Sequence, residues 1–130
     1  MWYQDIMNAP NGDLASMESE ISGRQQFLQR ELERYLSLLI GRPELDRIIV
    51  FGSMAAGPMH SWSDIDLVIV QRTELPFLQR IHEVRRLLRP RVATDFLIYT
   101  PDEFGRLCRE RPFFQSEILG RGRVVYDRSR

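Results

Sequence analysis

The stretch Ile48–Val70 reads IIVFGSMAAGPMHSWSDIDLVIV. A β-branched run from Arg47 to Phe51 stops at Gly52-Ser53, and a second run, Ile65 to Val70, opens on Asp64 and Asp66. Both runs have the length and residue types of buried strands, with glycine, proline and polar residues marking the turn between them. Acids two apart on a strand point to one face, about 6 to 7 Å apart along the backbone, so Asp64 and Asp66 are placed to share divalent ions.

Working outward, Leu28, Leu32, Tyr35, Leu36 and Leu39 recur at helical spacing. This predicts a helix over 22–40, ended by Gly41 and Pro43. Residues 1–15 show no period and contain Asn-Ala-Pro-Asn-Gly, which predicts a loose arm before a single domain over 16–130; Trp2 and Tyr3 lie in that arm. Downstream, Phe77, Ile81, Val84 and Leu88 predict a second helix between Pro76 and Pro90. Val92–Tyr99 reads as a third strand. Thr100-Pro101-Asp102-Glu103 has the form of a capping box opening a short helix to about Glu110. Another helix is expected over 112–119, then a terminal strand over 123–126. The pattern predicts an α/β (α+β) fold, a small mixed sheet of about four or five strands with helices packed mainly on one face.

Composition narrows the function classes. The 130 residues carry 18 basic and 18 acidic side chains, a balance with no strong nucleic-acid signal. Every basic residue is Arg. Chemistry that needs a lysine is excluded, while bidentate phosphate binding by arginine is not. The single Cys108 forms no internal disulfide and no Cys/His cluster has zinc spacing. The N-terminal stretch lacks a basic region followed by an apolar core, and no apolar run approaches membrane-spanning length, so the expectation is a cytoplasmic protein without a membrane partner.

A third acid, Asp95, sits between Thr94 and Phe96 in the third strand. Burying such a carboxylate is costly without a partner. It reads either as a solvent-facing residue or as a third ligand delivered beside Asp64 and Asp66. Other polar residues have plainer readings. His60 belongs to a polar turn, His82 to a helix surface, and the Arg85, Arg86, Arg89, Arg91 cluster to a solvated helix end. Trp62 packs over the turn or stacks on a base, and Cys108 is partly buried and inert.

Gly52-Ser53, Asp64-Ile65-Asp66 and Asp95, in that order and strand context, resemble the minimal nucleotidyltransferase (MNT) domains of the DNA polymerase beta superfamily. The wording Ser63-Asp64-Ile65-Asp66-Leu67 and the exit Tyr99-Thr100-Pro101-Asp102-Glu103-Phe104 are close to the family's form, and the resemblance spans roughly residues 22–127. It implies the nucleotidyltransferase fold and transfer of a nucleoside monophosphate from an NTP, ATP foremost, to an acceptor hydroxyl. Asp64, Asp66 and Asp95 would be catalytic and would hold two Mg²⁺ ions, typically about 3.5–4 Å apart, with Mn²⁺ as the alternative metal. Asp95 would also help to deprotonate the acceptor. Gly52 and Ser53, beside a short helix start at 54–56, would bind the departing phosphates. Relatives commonly carry Arg before the glycine of this turn, where this chain has Ala56 before Gly57; Arg72 is the candidate substitute cation. The resemblance also implies an alternative role, an antitoxin-type protein that binds and neutralises a helical HEPN-type partner with or without catalysis; apart from that, the sequence leaves a homo-oligomer open.

Overall fold

The computed structural model describes residues 11–60 and 63–130. Trp2, Tyr3, Ser61 and Trp62 therefore lie outside the described residues. The elements run α1 (Asn11–Leu39), β1 (Leu45–Phe51), α2 (Ser53–Ala56), β2 (Ile65–Gln71), α3 (Phe77–Leu88), β3 (Thr94–Tyr99), α4 (Pro101–Glu110), a π-helix (Phe114–Gly120) and β4 (Arg123–Asp127).

Among the described residues four strands form one mixed sheet in the order β3-β2-β1-β4. β1 is antiparallel to both β2 and β4, while β2 and β3, joined through α3, are parallel. The expected sheet is thus present. Its larger apolar core lies between one face and the two long helices, with Leu28, Leu32, Tyr35 and Leu39 of α1 and Val84 and Leu88 of α3 meeting Ile48, Val50, Leu67, Ile69, Phe96 and Ile98. A smaller layer covers part of the other face, where Phe104 of α4 and Phe114 and Ile118 of the π-helix meet Ile49, Val68 and Val70.

Local chemistry explains the boundaries. α1 ends where Gly41, at φ 102°, turns the chain, a conformation that costs glycine little. At its other end α1 starts at Asn11, well before the apolar period begins. Residues 15–27 contribute nothing fully buried, but Met17, Ile21 and Arg24 are half-buried at steps of three and four residues and carry the inward stripe of Leu28 and Leu32 back toward the start of the helix. α4 opens as expected: Thr100 Oγ1 accepts from the Glu103 amide at 3.2 Å, and the Glu103 carboxylate accepts from the Thr100 amide at 2.8 Å.

Two elements differ from expectation. The helix expected over 112–119 is a π-helix, its last turn closed by the Arg121 amide donating to the Ser116 carbonyl five residues back, at 3.0 Å. The wider turn keeps Phe114 and Ile118, four apart, against the sheet. The arginine cluster is also more than a solvated helix end. Arg85 donates to the Thr94 carbonyl at 2.7 Å and lies over the Phe96 ring, and the Arg91 amide donates to Glu31 at 2.7 Å. His82 is exposed as expected, and Cys108 is half-buried, its thiol pushed up by burial. No helix among the described residues is long and apolar enough to cross a membrane.

Candidate active site

Strand register brings the acids together. Phe51 of β1 pairs with Asp66 of β2, and Asp66 pairs with Asp95 of β3. Directly paired residues point to the same face, so Phe51, Asp66 and Asp95 form one row across three strands. The row lies on the face that the smaller helical layer only partly covers, and Asp95 is exposed.

Burial pushes the Asp66 carboxyl up to about 6, reinforced by a hydrogen bond with Asp95 and by the charges of Asp95 and Asp64. Crowded acids favour a shared proton or a bound cation. Asp64, one residue before β2, is half-exposed and meets a side chain the sequence reading did not single out. Arg24 of α1 lies 3.4 Å from the Asp64 carboxylate and donates to the Ser63 carbonyl at 2.9 Å. The pairing spans 40 residues of sequence, and no local pattern announces it. Ser63 is buried and accepts from the His60 amide at 2.8 Å, which closes the end of the turn onto β2.

Glycine is required at the start of the turn. Gly52 has φ 72° and ψ −152°, a region open essentially to glycine alone, and a Cβ there would collide with Asp66 Oδ2. The Gly52-Ser53 turn therefore presses directly on the carboxylate row. Two clefts flank it. The larger, about 470 Å³, lies toward Gln25 and Gln29 of α1, and the smaller, about 230 Å³, toward Glu117 and Arg121.

The substitute cation expected after β2 is elsewhere. Arg72 follows the opposite end of that strand from the acids, and its guanidinium donates to the Pro43 carbonyl. Arg121 bonds to the turn instead, donating to the Ala56 carbonyl at 3.1 Å from 65 residues away, and Arg123 lines the larger cleft with Ser53.

The donor set tests whether a metal suits this place. The acids supply only hard carboxylate oxygens, as Mg²⁺ or Mn²⁺ prefers, with no sulfur or imidazole in the row. Among the described residues no three His, Cys, Asp or Glu side chains are already gathered into a ligand group. Asp66 and Asp95 are turned to each other and Asp64 to Arg24. The chemistry of the donors fits a hard divalent ion, and binding one would exchange these contacts for metal–oxygen contacts.

No curated protein matches the chain. A solved structure described as a candidate nucleotidyltransferase from Sulfolobus solfataricus is similar with a TM-score of 0.55 and 20% identity, covering 95% of each chain; at that identity the likeness is one of fold. Two looser matches come from complexes. One is the MntA–HpeT toxin–antitoxin mutant, with a TM-score of 0.43 and 17% identity over 76% of this chain and 73% of that one. The other is the tri-AMPylated Shewanella oneidensis HEPN toxin with its MNT antitoxin, with a TM-score of 0.41 and 18% identity over 81% and 74%. A family model described as "Polymerase beta, Nucleotidyltransferase" matches residues 33–130. That span takes in the whole sheet and all three acids, and the chain belongs to the polymerase beta nucleotidyltransferase family.

Proposed function

We propose that this protein transfers a nucleoside monophosphate from an NTP, ATP foremost, to an acceptor hydroxyl in the cytoplasm. The observation that carries the reading is the row in which Asp66 and Asp95 stand in register, with Asp64 two residues away and the Gly52-Ser53 turn against Asp66. Asp95, the exposed member of the pair, takes the acceptor's proton at a carboxylate oxygen as the new oxygen–phosphorus bond forms. The bond from the α-phosphorus to the bridging oxygen breaks and pyrophosphate leaves. Gly52 and Ser53 hold the departing phosphates, with no side chain at 52 to block their approach. Asp64, Asp66 and Asp95 would hold Mg²⁺, which neutralises phosphate charge and polarises the attacked phosphorus.

Calorimetry of ATP binding with and without Mg²⁺, on wild type and an Asp64→Asn, Asp66→Asn double variant, tests this. Metal-dependent binding that disappears in the variant supports the site. Equal binding by both proteins overturns it.

A second reading, in which a helical HEPN-type partner supplies the acceptor hydroxyl or is neutralised by binding alone, is favoured by α1. Its residues 15–27 leave nothing fully buried against the sheet, a helical surface open to a partner. Co-expression with a small helical protein encoded alongside, followed by size-exclusion chromatography, separates a complex from a homo-oligomer or a lone monomer. Nucleotide added to the partner would join the two readings.

A further inference from the structure

The smaller cleft beside the turn pairs one cationic and one acidic side chain. It is lined by Gly52, Ser53, Ala56, Gly57 and Pro58 of the turn and by Glu117 and Arg121. Arg121 spends one donor on the Ala56 carbonyl, at 3.1 Å, and makes a loose pair with Glu117 at 3.6 Å. A guanidinium carries five N–H donors, so capacity remains for a ligand, and its half-exposed side chain faces solvent within the cleft.

The mount of Arg121 is fixed. Its amide is bonded to Ser116 and that of Gly122 to Ile118, at 3.0 and 3.1 Å. A Cβ on Gly122 would collide with the Ile118 carbonyl and crowd Ile49, so the backbone there is wedged against β1. The π-helix thus delivers a cation to one end of the cleft. At the other end Gly52 lies against Asp66. A volume of about 230 Å³ is small for a nucleoside and ample for linked phosphates.

We propose that Arg121 is the cation that grips the departing phosphates at the Gly52-Ser53 turn, with Glu117 as the side chain that moderates its grip. The proposal rests on the nucleotidyltransferase reading of the same site. With the reacting phosphorus beside Asp66 and Asp95, the two terminal phosphates extend past Gly52 toward Arg121, which takes them through charge-assisted hydrogen bonds.

Calorimetry in magnesium buffer tests it, with ATP, AMP and inorganic pyrophosphate as probes and wild type, Arg121→Gln, Arg121→Lys and Glu117→Gln as proteins. Arg121→Gln should weaken ATP and pyrophosphate about tenfold or more and leave AMP unchanged. Arg121→Lys should lie between. Glu117→Gln should tighten pyrophosphate, a gain that misfolding cannot produce. Equal ATP binding by wild type and Arg121→Gln overturns the cleft while the transferase reading stands, and so does an equal loss of AMP and ATP. Arginine-dependent pyrophosphate binding without ATP binding upholds the cleft and overturns the transferase reading. No binding of any probe by wild type overturns both.

Discussion

Gly52 and Asp66 are in steric contact across the turn between β1 and β2, the Asp66 carboxylate occupying the space where a side chain at position 52 would begin. Gly52→Ala therefore meets two penalties at once, a backbone region closed to alanine and a displaced Asp66. It should cost on the order of 1–3 kcal/mol from the backbone alone and should abolish nucleotide transfer. Gly23→Ala is the matching control, because a Cβ at mid-α1 meets open space; it should stabilise by about 0.5–1 kcal/mol. Urea unfolding of both variants reads the contrast, and equal effects would refute the steric account.

Asp66→Asn and Asp95→Asn should each abolish transfer without weakening the fold. The two acids repel each other when both are ionised, and an amide keeps a side-chain hydrogen bond while removing a charge. Thermal melting beside a transfer assay checks this. A large drop in melting temperature would mark the pair as structural.

Arg24→Gln removes the guanidinium that competes for Asp64. The contact is partly exposed, so the effect is modest. The magnesium concentration for half-maximal ATP binding should fall a few-fold. A rise would show that Arg24 holds the end of the turn in its working position through Ser63.

Acid should weaken the fold through two ion pairs. Arg34 holds Glu31 through two contacts of 2.8 Å, and Arg80 holds Glu103 at 2.7 Å. These hydrogen bonds bring both carboxyls from the ordinary 4.5 down to about 2. Folding then favours the ionised forms, so their stabilisation is complete above about pH 4.5 and drains away as pH falls toward 2. For Glu31, buried at 3% exposure, this amounts to on the order of 2–3 kcal/mol; the half-exposed Glu103 contributes less. Glu31→Gln should flatten the acid limb of a stability–pH curve more than Glu103→Gln does.

The parts legible in the sequence are those whose physics is local. The strands announce themselves as β-branched runs, and the Thr100–Glu103 box because its partners are three residues apart. The order Gly52, Asp64, Asp66, Asp95 could be read directly, although that Asp66 meets Asp95 depends on strand register. Arg24 and Arg121 went unread because their partners lie 40 and 65 residues away. The π-helix stayed hidden because seven residues are too few to separate one helical period from another. Arg80 carries no local sign of burial, yet it is buried and donates to the carbonyls of Leu75 and Ile98 as well as to Glu103.

The strand order β3-β2-β1-β4 leaves a debt during synthesis. β1 is among the first elements made and sits inside the sheet, yet its second neighbour, β4, is made after every other strand. Until then Ile48, Ile49 and Val50 present an unzippered apolar border, the kind of border that recruits other chains. The cation that β4 follows, Arg121, arrives in the same late step. A nascent chain stalled before residue 120 would hold all three acids with neither a sealed border nor the Arg121 wall of the smaller cleft, so one late step completes both.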